Sequence, residues 1–271
     1  MNTNELQFAI DFYEQGNSMA ATCKKFHTTS KALKKLLNDA NIHIRNNREQ
    51  LIIENIKRTK GVNHYYFSKP NNENMYYIGF LAADGTVRKS RNEIKVALSS
   101  IDKNFLLNMK KNLQIEKDVK TYFANNGFEY CELTFSSMQI KNDLAKYKVV
   151  PNKTIKGLSL EVIPDEYKMF FIKGFFDGDG SFSYNKNTKQ AKITFTSHTK
   201  KILEDIKNYF NSGYIYQDKR NKVYSLEFST LKSLDIMKDF YKIDSPCLIR
   251  KKEKYLKCLE LRNNNPRDRI S

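Results

Sequence analysis

At about 150 residues per domain, a chain of 271 residues holds one large or two modest domains with a genuine buried core. Lys and Arg number 47 against 30 Asp and Glu, a net charge of +17, so a polyanion is the first partner to consider. Only ten of the basic residues are Arg, and an AT-rich coding sequence would inflate lysine in the same way, so charge alone proves nothing.

No apolar run approaches the roughly 20 residues of a membrane span, and MNTNELQF carries no basic-then-apolar signal. A soluble cytoplasmic protein that avoids membranes is expected, in a bacterial or phage-infected host or an organelle. Cys23, Cys131, Cys247 and Cys258 form no CxxC pair and have no His at zinc-finger spacing, which reads as free buried thiols in a reducing compartment.

Residues 4–15 form a first helix with Leu6, Ile10 and Phe12 near one face, stopped by Gly16. Asn17 and Ser18 can cap a second helix whose Ala21, Cys23 and Phe26 point inward. His27, Thr28, Thr29 and Ser30 then break it and offer a fresh cap. In the third helix Leu33, Leu36 and Leu37 share a face, while Lys31, Lys34 and Lys35 fall mainly on the other. Residues 1–45 therefore read as a small all-α helix-turn-helix module, with those lysines placed to reach DNA phosphates; an ordinary helical bundle with a basic face shows the same pattern. Residues 46–72, rich in Asn and basic side chains and broken by Gly61 and Pro70, read as a basic linker with one short helix near 51–56.

From residue 73 the chain is duplicated. YIGFLAADGTV at 77–87 matches IKGFFDGDGSF at 172–182, so Gly79, Asp84 and Gly85 recur 95 positions on as Gly174, Asp179 and Gly180. LTFSS at 133–137 recurs as LEFST at 226–230. In each copy a short apolar helix runs into Asp-Gly and is followed by alternating residues: Ile94, Val96 and Leu98, then Ala191, Ile193 and Phe195. Further alternation and helical stretches give the order αββαββα twice, over 73–150 and 151–271. The opposite strand faces carry Thr86, Arg88 and Lys95 in one copy and Ser183, Asn185, Lys192 and Thr194 in the other, with Tyr130 and Ser225 on later strands. Such a face is either simply solvated or suited to a DNA major groove.

Gly79 with Ala83, and Gly174 with Gly178, place small residues four apart, so the two motif helices should pack closely and bring Asp84 and Asp179 together. Two carboxylates at the carbonyl ends of two helices repel each other and the helix dipoles. A divalent cation answers that, and Mg²⁺ (or Mn²⁺) suits oxygen ligands plus a substrate phosphate. Metal-assisted hydrolysis of a phosphodiester then needs no Ser, Cys or His nucleophile.

FLAADG and FFDGDG resemble the paired motifs of the LAGLIDADG homing endonucleases in their single-chain form, over roughly residues 73–262. The resemblance implies an α+β fold of two pseudo-symmetric halves, with the motif helices at their interface and two antiparallel sheets forming a saddle over double-stranded DNA. It also implies a monomer that makes a double-strand break with short 3′ overhangs. Asp84 and Asp179 would be metal ligands, helped by the backbone carbonyls of Ala83 and Gly178. A basic residue near the end of each half falls on Lys153 and Lys251, with Arg250 and Lys252 as alternatives to the latter. The first motif departs from the second in having Ala82 where the second has Asp177. A non-cleaving DNA-binding regulator or an RNA maturase on the same scaffold is the competing reading, and retention of both acids argues against the regulator.

Overall fold

A computed structural model describes residues 3–153, 157–218 and 222–263. Two compact units divide the chain, residues 1–60 and 61–271.

The first unit contains α1 (Thr3–Glu14), α2 (Met19–Lys25), α3 (Ser30–Asp39) and α4 (Asn47–Arg58). Gly16 takes φ +85°, the left-handed conformation that ends α1 where the sequence places its stop. Ser18 caps α2 and Thr29 caps α3, each hydroxyl accepting the N–H three residues on. The core is Ile10, Tyr13, Leu33 and Leu37; Leu6 and Phe12 are only partly buried. Tyr13 wins the inner face because Arg45 locks it: the guanidinium lies 3.8 Å over its ring and the Arg45 N–H donates to its hydroxyl at 2.9 Å. On α2 the buried residue is Thr22, not Ala21, and its hydroxyl is satisfied by the Ser18 carbonyl at 3.0 Å.

The first part of the expected linker is helix. Asn46 and Glu49 form a reciprocal capping box, and α4 runs for 12 residues to Lys57 and Arg58, whose charges suit a helix C-terminus. The Asn-x-x-Glu signature is local and was legible; the basic, Asn-rich composition masked it.

The second unit has the order anticipated for it. The first copy comprises α5 (Asn72–Ala83), β1 (Gly85–Val87), β2 (Glu93–Ser99), α6 (Lys103–Asn112), β3 (Lys120–Phe123), β4 (Glu129–Ser136) and α7 (Met138–Lys146). The second comprises α8 (Lys168–Asp179), β5 (Gly180–Asn185), β6 (Gln190–Ser197), α9 (Lys200–Tyr209), β7 (Tyr214–Gln217), β8 (Tyr224–Glu227) and α10 (Thr230–Lys242). A further helix that the repeat does not predict, α11 (Ile249–Asn263), packs against β5 with Tyr255 edge-on to Phe182.

Each copy builds an antiparallel four-stranded sheet, in the orders β1-β2-β4-β3 and β5-β6-β8-β7. Register pairs Ile94 with Phe135 and Val96 with Leu133 in one, and Phe195 with Leu226 in the other. The inner faces are therefore apolar, and one continuous hydrophobic core runs through both copies. Among the described residues no helix is long and apolar enough to cross a membrane. All four cysteines are free, but only Cys131 and Cys258 are buried; Cys23 and Cys247 are partly exposed, which corrects the uniform expectation.

Residues Asn74–Ala82 of α5 and Phe171–Asp177 of α8 are buried without a break, which is why neither helix is amphipathic. They lie against each other at backbone distance: a Cβ added to Gly79 would overlap the Phe171 carbonyl oxygen, and one on Gly174 would overlap that of Tyr76. Glycine is required at both places because backbone, which cannot move aside, fills the space.

Candidate active site

The close packing carries the helix ends with it. A Cβ on Gly178 would run into the Cβ of Ala83 and lie 3.3 Å from the Asp84 amide nitrogen, so the residues preceding the two acids stand face to face. Asp84 is half-buried and caps α5, while Asp179 ends α8 and is more open to solvent along one edge. Both carboxyls are held above the ordinary carboxylate value. Burial is the first cause for each, and for Asp179 the charge of Asp84 is the second, which together push it up to about 6. Two acids, one of which disfavours the charged form of the other, flanked by backbone carbonyls, make an all-oxygen donor set suited to a hard divalent cation. Among the described residues no cluster of three or more His, Cys, Asp or Glu offers a metal site.

Two lysines close the site from pseudo-equivalent positions. Lys153 Nζ donates to the Gly85 carbonyl, directly after Asp84. Lys251 Nζ donates to the carbonyls of Gly180 at 2.6 Å, Phe176 at 2.6 Å and Asp177 at 2.7 Å. It is only 3% exposed, and desolvation lowers its pKa to about 8. All three of its protons are committed to the carbonyl end of α8, so it works as a fixed cationic cap rather than a mobile proton donor. Both lysines favour the charged forms of both acids, while Lys153 is hydrogen-bonded to the carbonyl that follows Asp84 and Lys251 to the carbonyl end of α8 beside Asp179.

The alternatives to Lys251 are placed elsewhere. Arg250 Nε reaches the buried carboxylate of Asp102 at 2.7 Å, and Lys252 is exposed. The two acid-bearing helix ends are lined differently: a groove of about 280 Å³ beside Asp179 includes Thr196 and His198, whereas Asp102 and Arg250 lie in the surroundings of Asp84. Thr196 also donates to the Asp179 carbonyl at 2.8 Å.

The expected outer strand faces are real but not freely cationic. Lys95 is ion-paired to Glu132, Lys192 to Glu227 at 3.1 Å, and Arg88 to Glu93 at 3.2 Å. Thr86 and Ser183 are exposed and Thr194 partly so. Asn185 turns back to accept the N–H groups of Asn187 and Thr188, shaping the β5–β6 turn. Ser225 is buried, flanked in register by Thr196 and Tyr216. The outer faces also carry two aromatic pairs, Tyr122 with Tyr130 and Tyr214 with Tyr216, which are stacked at 5.4 and 6.2 Å. Only the strand register, which alternation does not specify, places Glu132, Glu227 and Tyr122 there. In the first unit Lys31, Lys34 and Lys35 are all exposed on α3.

The LAGLIDADG endonuclease family model matches residues 172–261. An uncharacterized protein of Methanocaldococcus jannaschii is 28% identical over 184 residues, 64% of either chain. A reverse gyrase of the same organism is 29% identical over 170 residues, 60% of this chain and 10% of the gyrase. The chain thus spans under two thirds of the first relative's length and a tenth of the second's. Among solved structures, the fold is similar to meganuclease I-SmaMI bound to uncleaveable DNA (18% identity, TM-score 0.51, 73% of this chain and 91% of that one). It is also similar to the LAGLIDADG meganuclease I-AabMI bound to uncleaved DNA (16%, 0.51, 72% and 91%). Two motif helices packed on glycine, two four-stranded sheets and an acid at each helix end define a double-motif scaffold. Over residues 172–261 the chain is similar to the LAGLIDADG endonuclease family, and the second unit as a whole is similar in fold to solved LAGLIDADG structures.

Proposed function

We propose that the protein is a site-specific, divalent-metal-dependent endonuclease of the homing type that cuts both strands of a DNA target and leaves short 3′ overhangs. The observation that carries this reading is the convergence of Asp84 and Asp179 on one spot, enforced by backbone packing at Gly79 and Gly174 and left electrostatically unfavourable by the protein alone. Related folds bound to DNA support the partner.

In this reading Asp84 and Asp179, with the carbonyls of Ala83 and Gly178, hold Mg²⁺ or Mn²⁺, which when bound supplies Lewis-acid activation of the phosphodiester. Each acid addresses one strand. Lys153 and Lys251 fix the backbone on either side of the acids and add positive charge where negative charge develops on the phosphate. The outer sheet faces, with Thr86, Lys95, Ser183, Lys192 and Thr194, contact base edges and phosphates, and the exposed lysines of α3 add a second, separate contact with DNA.

The test is incubation with magnesium and a plasmid carrying the uninterrupted host locus, followed by mapping of the ends. Paired cuts with short 3′ overhangs are expected from the wild-type protein. D84N and D179N should each abolish double-strand cutting while leaving DNA affinity within about tenfold. Undiminished cutting by both variants would remove the two acids from the catalytic role, and tight binding with no cutting by the wild-type protein would replace this reading with that of a DNA-binding regulator.

A further inference from the structure

The second motif differs from the first at one buried position. Asp177 is 1% exposed, deep between the motif helices, where the first copy has Ala82. A carboxylate in such a place is costly unless something requires it. Its Oδ2 accepts the Tyr76 hydroxyl of α5 at 2.5 Å and the backbone N–H of Leu248 at 3.1 Å, while Oδ1 has no hydrogen-bond partner. The carboxyl is therefore oriented through Oδ2 alone, toward one neighbouring helix and one distant stretch of chain.

That stretch leads into α11. Leu248 is fully buried and immediately precedes the helix, and its carbonyl accepts the N–H of Lys251 at 3.0 Å, one turn further on. Wherever the Leu248 peptide is held, the Lys251 side chain starts from a fixed place. Lys251 then threads to the end of α8 and caps three carbonyls around Asp177 and Asp179. Lys173, also buried, faces the same region from α8 and is tied to Ser245 Oγ at 2.7 Å, which holds the approach to Leu248 from its other side.

We propose that Asp177 is a positioning residue: by accepting the Leu248 N–H it fixes the start of α11 and so seats Lys251 at the carbonyl end of α8, next to Asp84. In the first copy Ala82 cannot do this for Lys153, so the two strand-cutting centres are supported by different means. This rests on the nuclease reading only for its catalytic consequence; the seating of Lys251 is a property of the protein alone.

The first measurement therefore needs neither DNA nor metal. The protein is treated briefly with an amine-acylating ester, and labelling of each lysine is read by mass spectrometry. In the wild-type protein Lys251 should resist labelling while exposed Lys254 reacts. D177A should raise the labelling of Lys251 about tenfold with Lys153 unchanged, and D177N, whose amide oxygen can accept both bonds, should restore protection. Y76F, which leaves the Leu248 bond in place, should retain it. If D177A melts too low for the assay, D177V, close in volume but without an acceptor, carries the same expectation. Lys251 equally protected in a folded D177A or D177V protein would overturn the proposal, as would equal deprotection of Lys153, the mark of general loosening. In the plasmid assay, D177A should accumulate nicked circles, one strand slowed about tenfold and the other within about twofold, with D177N restoring linear product. Equal slowing of both strands would also overturn it. Failure of the wild-type protein to cut would count against the nuclease reading and leave the labelling result standing.

Discussion

The two copies present the same chemistry on unequal supports. In the first, Asp84 ends a helix whose Ala82 makes no polar contact, and Lys153 grips one carbonyl, that of Gly85. In the second, Asp179 follows a buried acid, and Lys251 caps three carbonyls from an additional helix. What is identical is what backbone packing demands, glycine against a carbonyl in both directions. What has diverged is the surrounding hydrogen-bonding. Near-symmetry in a duplicated site thus marks the positions where shape leaves no choice.

The strongest way to break this comparison is at the glycines. G79A and G174A should each cost about 3 kcal/mol or more in urea unfolding, and nearly equally, because each places a methyl group inside the partner's backbone. A much milder effect at one of them would show that the packing is not reciprocal.

The lysines should separate the copies. K251M removes a donor from three carbonyls, of which that of Phe176 keeps the Gly180 N–H, and should cost about 2–4 kcal/mol, whereas K153M, which removes one bond, should cost about 1 kcal/mol. Urea midpoints compared at one pH check this, and equal losses would contradict the difference in support.

The acids give a pH signature. Folded Asp179 titrates near 6, against an ordinary carboxylate value of 3.8, so the folded state holds that proton more tightly. Stability is then lost as pH rises from about 4 to about 6, and the cost is fully present above it. Without divalent cations at neutral pH, D179N should melt about 2 °C higher than the wild-type protein, the modest figure reflecting the solvent-exposed edge of Asp179. That gain should vanish near pH 4. Magnesium should raise the wild-type melting temperature but not that of D179N.

The smallest effect lies on the outer faces. E227Q removes the partner of an exposed lysine and should change stability by less than about 0.5 kcal/mol in thermal unfolding, while making DNA binding tighter and more salt-dependent through the released Lys192.

Much of this was legible because it is local or repeated. The alternation at Ile94, Val96 and Leu98, the stop at Gly16 and the caps at Ser18 and Thr29 are short-range patterns that backbone geometry translates directly. The duplication raised Asp84 and Asp179 above the one other Asp-Gly pair, Asp177-Gly178. The inner face of α1 was misjudged because Arg45, over thirty residues away, chooses Tyr13. α11 escaped because it stands outside the repeat pattern.

By itself the sequence determined the repeated helices and strands, their duplication and the choice of the two acids, since those follow from periodicity, caps and glycine spacing within a few residues. Only the tertiary structure decided which carbonyls each lysine caps, which outer-face cations are already paired, and that Asp177 reaches Leu248 across 71 residues. Such pairings depend on strand register and on the path of the chain between elements. Both are set by burying the whole core at once, and no local pattern encodes them.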